Sequence, residues 1–202
     1  PTPGAPPIAP STRPSAADAP DVTDPQPDSA PAWFAFCPRC AAPLTTRQVH
    51  GRPRRACPVC GYVYFTDPKV GVGVLVVEAG RVLLVRRAVE PERGKWGLPA
   101  GFLDQGEEPG ATAAREALEE TGLTVAIEGL LDVFYNPPGG GGASIFILSR
   151  ARRVAGEPVA GDDADDARFF PLDALPDLAF ASTRAAIERM KRESTDYTDF
   201  TD

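Results

Sequence analysis

Runs of apolar residues separated by short polar breaks predict a mixture of strands and helices. Residues 70–77 are apolar apart from two glycines, and a turn at 78–81 separates them from a second apolar run at 82–85. Short apolar, β-branched runs bounded by turn-forming residues are typical of buried strands. Further strands are predicted at 124–135, 143–150 and 168–170, and alanine-rich segments at 111–121 and 183–192 predict helices. Hairpins interleaved with two helices favour an α+β fold over a strictly alternating parallel one.

Composition divides the chain into four segments. Residues 1–31 hold ten of the 23 prolines and almost no large apolar side chains, so we expect a disordered leader. A small domain at 32–66, the α+β domain at 67–193 and a disordered acidic tail at 194–202 follow. No apolar run approaches the roughly 18 residues that span a bilayer, and no signal-peptide pattern is present. We therefore expect no membrane segment and a cytoplasmic location.

The net charge of −7 is unevenly distributed. The α+β domain carries 21 acidic and 15 basic residues, a net −6. The small domain has no acidic residue and five arginines, Arg39, Arg47, Arg52, Arg54 and Arg55. A basic surface of this kind attracts nucleic acid, but arginines are also common on the solvated face of a tiny domain. Nucleic acid is therefore a possible partner that the sequence does not favour.

The four cysteines of the small domain form two CxxC pairs, Cys37 with Cys40 and Cys57 with Cys60. This spacing predicts a zinc ribbon, in which four thiolates surround a structural Zn²⁺ and leave no open coordination position. Two disulfides are the alternative, but they need an oxidising compartment. His50 lies between the pairs, and we interpret it as a solvent-exposed loop residue because four ligands are already available.

Residues 101–123 predict a loop followed by an acidic helix. Pro109 suits the first helical turn and Gly122 suits the left-handed position after the last. Glu116, Glu119 and Glu120 fall on one face, where like charges repel. A packing face made of Ala113, Ala114, Ala117 and Leu118 would fix them in place. Clustered carboxylates on a rigid element are what Mg²⁺ or Mn²⁺ requires, although an ordinary acidic helix surface would also place glutamates there.

The whole segment resembles the Nudix box, G-x5-E-x7-R-E-U-x-E-E-x-G-U, where U is apolar. The specified positions fall on Gly101, Glu107, Arg115, Glu116, Ala117, Glu119, Glu120, Gly122 and Leu123. The resemblance covers about residues 68–192 and implies an α/β/α sandwich on a mixed sheet, usually as a homodimer. It also implies metal-dependent hydrolysis of a nucleoside diphosphate linked to another moiety.

The resemblance assigns roles by position. Glu116, Glu119 and Glu120 would hold the metals, with Glu119 or Glu120 a possible catalytic base. Gly101 would lend a backbone carbonyl, and Glu107 would pair with Arg115 to fix the loop on the helix. Two further assignments lie outside the box, each with a plainer alternative. Arg86 and Arg87 would contact substrate phosphates or be inert surface residues at the end of a strand. Asp163 or Asp166 would be an alternative catalytic base or part of a solvated acidic loop.

The resemblance defines the substrate less closely than it defines the type of reaction. A zinc ribbon before a Nudix domain is similar to NADH pyrophosphatases and to ADP-ribose or FAD pyrophosphatase-like proteins. The Ser-Gln-Pro-Trp-Pro-Phe-Pro signature of the first group is absent, whereas Pro138 lies 15 residues after Leu123, as in the second. We therefore expect a nucleotide-sugar or dinucleotide substrate that yields AMP and a second monophosphate. The alternatives are NADH or NAD-capped RNA, and a non-catalytic nucleotide-sensing or nucleic-acid-binding module.

Overall fold

The computed structural model of the protein describes residues 34–136 and 143–196. By internal contacts the chain divides into two compact units, with the boundary between Asp67 and Pro68. The expected leader, Pro138 and residues 197–202 of the expected tail lie outside the described residues. The last helix includes residues 194–196, which were expected to belong to that tail.

The first unit is built on one hairpin. Strand β1 (Thr45–Val49) pairs antiparallel with β2 (Arg52–Ala56). His50 and Gly51 connect them with φ values of 52° and 75°, the two positive φ angles that a tight hairpin turn requires. His50 is exposed at this turn, as predicted. Cys37, Leu44 and Cys57 form a small buried core beneath the hairpin.

The second unit is a seven-stranded mixed sheet with two helices. The strands are β3 (Val70–Glu78), β4 (Arg81–Arg87), β5 (Trp96–Gly97), β6 (Ala100–Phe102), β7 (Thr124–Tyr135), β8 (Ile145–Ala155) and β9 (Ala164–Pro171). The helices are α1 (Pro109–Thr121) and α2 (Ala181–Asp196). The main path runs β5-β4-β3-β8-β7, with β6 added to β3 and β9 added to β4. Among the described strands, β3 and β8 pair in parallel and the other strand pairs are antiparallel.

The two helices cover opposite faces of the sheet. Val72, Val74 and Val76 of β3 pack with Ala113 and Ala117 of α1 in one buried cluster. Leu75, on the other face of the same strand, packs in a second cluster that contains Ala186 and Ile187 of α2. Successive strand residues point to opposite faces, so the continuous apolar run of β3 reflects burial on both sides. The expected α+β class and α/β/α sandwich are confirmed.

Two expectations about the second unit differ from the structure. The very short strands β5 and β6 were missed because two or three residues carry no readable periodicity. Leu118 was expected on the packing face of α1 but is 49% exposed, because the helix buries Thr112 and Thr121 along with Ala113 and Ala117. Within the described residues, no helix has the length and apolar character needed to cross a membrane.

Candidate active site and zinc site

The four cysteines converge at the base of the first unit. Their sulfur atoms all lie within 4.8 Å of one another, with 3.5 Å between Cys37 and Cys60 and between Cys40 and Cys57. A disulfide needs about 2.05 Å, so all four are free thiols in this structure. Sulfurs bound at about 2.3 Å around a tetrahedral zinc ion lie roughly 3.8 Å apart. The donor set and its spacing therefore fit zinc and do not fit two disulfides.

Two similar backbone turns hold these thiols. The amide of Ala41 donates to the carbonyl of Cys37 at 2.9 Å, and the amide of Gly61 donates to Cys57 at 3.2 Å. Ala41 and Gly61 both have positive φ, at 59° and 75°. The Cys60 amide donates to the Cys57 sulfur at 3.4 Å, and this bond lowers the pKa of Cys57 and favours its thiolate.

Helix α1 fixes the glutamates of the second unit. Its N-cap is Glu108, whose carboxylate accepts from the Ala111 amide at 2.7 Å, and Pro109 occupies the first turn. It ends at Gly122, which has φ 69° and donates its amide to the Leu118 carbonyl at 2.8 Å. Both ends are as the sequence predicted. Because the buried face packs on β3, the direction of each glutamate along the helix is determined.

Glu120 lies at the meeting point of α1 and β6. It is only 5% exposed, and its Oε2 accepts from the Ala100 amide at 2.9 Å. The pKa of Glu120 is raised to about 9, chiefly by burial and also by the neighbouring carboxyl groups of Asp163 and Glu116, against the lowering effect of the Ala100 amide. Ionised Glu120 is therefore unfavourable in this buried, acidic site, and a bound cation would stabilise it.

Glu116 lies against the backbone of Gly101. A Cβ atom at position 101 would overlap the Glu116 carboxylate, so only glycine leaves room for it. Burial raises the pKa of Glu116, the neighbouring Arg115 lowers it, and the charges of Glu119 and Asp162 raise it again. The close packing of Glu116 on Gly101 gives the glycine of the box a steric role.

Arg115 joins three carboxylates. Its guanidinium lies 2.7 Å from Glu119, 3.0 Å from Glu116 and 3.5 Å from Glu107. Glu107 also accepts from the Asp104 amide at 3.0 Å and from the Thr112 hydroxyl at 3.1 Å, which ties the loop to the helix. Glu119 is more exposed than Glu116 and points to Arg115. Among the described residues, only the four cysteines form a metal-type cluster with ligand atoms within 4.8 Å, so the glutamates are less tightly gathered.

The acidic segment before β9 divides into two groups. Asp163 lies close enough to Glu120 to raise the pKa of its carboxyl group. Asp166 instead pairs with Arg168, whose guanidinium lies 5.4 Å from the centre of the Trp96 ring. Trp96 belongs to the cluster on the α2 face. The structure therefore brings Asp163 to the glutamates of α1 and places Asp166 on the α2 side of the sheet.

The two arginines at the end of β4 are engaged with other groups. Arg86 lies 2.6 Å from Asp165, and this pairing raises the pKa of Arg86. Arg87 donates to the Pro91 carbonyl at 2.7 Å and lies over the Phe180 ring at 5.1 Å. To reach a substrate phosphate, each arginine would have to exchange the contact it makes here.

Ala100 is a contributor that the sequence reasoning missed. In the pairing of β6 with β3, Gly101 lies opposite Val72. The Leu103 amide donates to the Val70 carbonyl at 3.0 Å and the Val74 amide donates to the Pro99 carbonyl at 3.1 Å, so the pairs on either side of Gly101 are hydrogen-bonded pairs. Such pairs recur at every second residue of an antiparallel ladder. Gly101 therefore turns its N–H and C=O toward β3, and Ala100 turns both of its groups away from it, toward Glu120. A backbone contribution has no side-chain signature, so no residue type could have revealed it.

Carboxylates are gathered where one helix meets the sheet, and a divalent cation held by such groups can neutralise phosphate oxygens and activate water. A family model for the NUDIX domain matches residues 67–190. The chain therefore belongs to the Nudix family of hydrolases, as its box predicted. Nudix enzymes use divalent metal ions, and the carboxylate cluster fits such an ion.

Individual relatives agree with this assignment. An ADP-ribose pyrophosphatase of Methanocaldococcus jannaschii is 40% identical over 123 residues, which cover 59% of this chain and 71% of that protein. An NAD-capped RNA hydrolase NudC of Chromobacterium violaceum is 32% identical over 146 residues, 71% of this chain and 52% of that protein. The chain thus spans only about half the length of the second relative.

A solved structure supports the fold over a longer stretch. The crystal structure of a NUDIX hydrolase from Nitrosomonas europaea is 34% identical and has a TM-score of 0.70. It covers 78% of this chain and 90% of its own. Because 78% of 202 residues is about 158, and the second unit has only 135, the match includes residues of the first unit.

Proposed function

We propose that this chain hydrolyses the pyrophosphate bond of ADP-ribose, FAD or a related dinucleotide and releases AMP and a second monophosphate. The observation that carries the proposal is the convergence of Glu116, Glu120 and Asp163 beside the backbone of β6. The relative from Methanocaldococcus jannaschii, named an ADP-ribose pyrophosphatase, supports this substrate class. A pyrophosphate is anionic, so an acidic unit binds it only when cations stand between the two.

Glu116, Glu119 and Glu120 would hold Mg²⁺ or Mn²⁺, together with a backbone oxygen of β6. Of the two candidates for that oxygen, Ala100 turns its carbonyl toward Glu120, so we prefer it to Gly101. Such ions neutralise phosphate oxygens and lower the pKa of bound water. For Glu119 to take part, it would have to leave its ion pair with Arg115.

Asp163 is our proposed general base. The influence of Asp163 on the pKa of Glu120 supports this choice, because it indicates proximity to the proposed metal ligands, whereas Asp166 pairs with Arg168. In the proposed step, Asp163 accepts a proton from water, the water oxygen bonds to one phosphorus, and the bridging oxygen leaves with the other phosphate. Glu107 and Arg115 act as positioning residues, because they hold the loop on α1.

The four thiolates of the first unit would hold a structural Zn²⁺, because no fifth ligand is needed once four sulfurs surround the ion. The homodimer that the family resemblance implies belongs to the same proposal, and light scattering of the purified chain tests it. A cytoplasmic location stays a prediction, and the free thiols are compatible with it.

A substrate panel tests the function. Purified protein is incubated with ADP-ribose, FAD, NADH, coenzyme A and NAD-capped RNA in Mg²⁺ or Mn²⁺, and AMP or the shortened RNA is measured. We expect ADP-ribose or FAD to give the highest kcat/KM. Glu120→Gln should lower kcat by about 10²-fold or more, because it removes a charged group at the proposed metal site.

Matched variants make the assay specific. Glu128→Gln is the control for Glu120→Gln, because Glu128 is exposed on β7 and pairs with Arg152. Asp163→Asn should lose turnover with little change in KM, and Asp166→Asn should retain it. Full activity of Glu120→Gln would contradict the metal site, and equal activity of the two aspartate variants would contradict Asp163 as the base.

NAD-capped RNA or NADH is the second candidate substrate. The specific observation in its favour is that similarity to the NudC relative extends over 71% of this chain, more than the second unit alone supplies. Preferential release of an RNA monophosphate in the panel would support this candidate over ADP-ribose.

A further inference from the structure

The β1–β2 hairpin carries three arginines on one face. Arg47 of β1 stands directly opposite Arg54 of β2, and Arg52 lies two residues from Arg54 on the same strand. Directly opposed residues share a face of the hairpin, and residues two apart on a strand do too. We call Arg47, Arg52 and Arg54 the arginine face. Like charges placed opposite one another destabilise a strand pair, so this arrangement does not serve the hairpin itself.

The arginine face belongs to a stretch of the chain whose charged residues are all basic. Residues 34–66 contain no Asp or Glu, so this stretch offers no carboxylate of its own to the arginines. Arg47 and Arg52 are exposed. Residues 34–66 carry a net +5 and residues 67–193 a net −6, so a polyanion would be attracted to the hairpin and repelled by the second unit.

Aromatic rings accompany the charges. The guanidinium of Arg54 lies 4.6 Å from the centre of the Phe65 ring, and Phe65 is 48% exposed. On the same unit Arg39 lies 5.5 Å from the ring of Tyr62, and Phe36 is 65% exposed. Proteins recognise single-stranded nucleic acid with two features. Cationic side chains contact the phosphate backbone, and exposed aromatic rings stack on the bases. A membrane surface or an acidic peptide would use the cations but not the stacking.

We propose that the arginine face of the hairpin, together with Phe65, is a binding site for single-stranded RNA. Arg47 and Arg52 would contact phosphates, and the exposed ring of Phe65 would stack on a base. This site is separate from the carboxylate cluster of α1, and it does not depend on which pyrophosphate the second unit cleaves.

Fluorescence anisotropy of the full chain with a labelled single-stranded RNA of about 20 nucleotides tests the proposal. Mg²⁺ is omitted, so that the proposed hydrolytic site is not engaged. Wild-type protein should bind, and Arg47→Gln/Arg52→Gln should bind at least 10-fold more weakly. The slope of log K against log salt should become shallower by about 1.4, because each phosphate contact on a single strand contributes about 0.7.

The control variant is Arg81→Gln/Arg152→Gln, which removes the same charge from the second unit and should bind like wild type. Phe65→Ala should weaken single-stranded binding while leaving the salt slope unchanged, because stacking releases no counterions. Unchanged zinc content would show that the ribbon of each variant is folded. Equal loss in the two double variants, equal affinity for an RNA duplex, or binding to phosphatidylserine vesicles without binding to RNA would each overturn the proposal.

Discussion

Glu120 is a carboxyl group that is both buried and close to other carboxyl groups. Among the described residues it is the only buried acidic side chain, and it shares its surroundings with Asp163 and Glu116. A carboxyl group in such a place favours its protonated form unless a cation compensates the charge. The metal-free protein therefore holds a proton where the metal-bound protein is expected to hold an ion.

This conflict predicts how the stability of the metal-free protein depends on pH. The folded pKa of Glu120, about 9, lies above its ordinary value of 4.5. The folded state thus keeps a proton that the unfolded state releases between these values, so this contribution is complete below pH 4.5 and is lost as pH rises toward 9. Between pH 6 and 8 wild type should lose about 1 to 3 kcal/mol more stability than Glu120→Gln.

Thermal unfolding followed by the helical circular dichroism signal measures this difference, because α1 and α2 both belong to the second unit. The protein is kept in Mg²⁺-free buffer without a chelator, so that the zinc site is not disturbed. Adding Mg²⁺ should raise the melting temperature of wild type at pH 8 and leave Glu120→Gln nearly unchanged. Parallel pH profiles for wild type, Glu120→Gln and the control Glu128→Gln would contradict the prediction.

The sequence predicted some residues of the two sites individually and left others undecided. The box spacing selected Glu116 and Glu120, and the CxxC pairs selected four cysteines whose sulfurs converge in the structure. It left Asp163 and Asp166 open, because four aspartates within five positions look alike in sequence. A one-residue irregularity in the pairing between β4 and β9, near Arg86, lies next to these aspartates, and a bulge of that kind cannot be read from composition.

At the level of elements, the site depends on how closely α1 approaches β6. The Glu116 carboxylate occupies the space that a side chain at position 101 would need. Gly101→Ala should therefore displace the Glu116 carboxylate and lower kcat by about 10-fold or more, while stability changes little, because the atoms that must move are the end of a flexible side chain. Steady-state kinetics with the best substrate of the panel, combined with thermal unfolding, checks both effects.

Gly97→Ala is the matched control for this variant. Gly97 is also a strand glycine, and although it is buried, a Cβ there would meet only the Phe180 ring, at an ordinary contact distance of 4.0 Å. It should keep most of the activity. If Gly101→Ala were as active as Gly97→Ala, the packing of Glu116 on the glycine would have no catalytic importance.

Elements with long apolar patterns were predicted well, and short ones were not. The strand expected at 124–135 coincides with β7, and α1 differs from its predicted span by two residues at the N-terminus. Strands β5 and β6 were missed, yet β6 supplies the Ala100 amide that anchors Glu120. The site thus depends on a three-residue strand, β6. The position of this strand is determined by its packing against β3 and α1 rather than by its own sequence.

At the scale of the whole molecule, the two units are stabilised in different ways. Among the described residues, the second unit has two large buried clusters on the two faces of its sheet and a smaller third one, whereas the first unit has a single small core of Cys37, Leu44 and Cys57. A domain of fewer than about 40 residues seldom buries enough apolar surface to fold without a metal or disulfides. The first unit should therefore depend on zinc, and the second should not.

Removal of the zinc ligand Cys37 tests this difference. Cys37→Ser should lose zinc, measured by elemental analysis, and should lose the binding of single-stranded RNA because metal binding and folding of the ribbon are coupled. Hydrolysis of ADP-ribose by the same preparation should stay within about threefold of wild type, since the carboxylate cluster is built entirely within residues 68–202.

Thr45→Ser, a conservative change at an exposed position of β1, is the control variant and should keep both zinc and RNA binding. Zinc-free wild-type protein that still binds RNA would contradict the first expectation. Parallel loss of hydrolysis and zinc would contradict the second expectation.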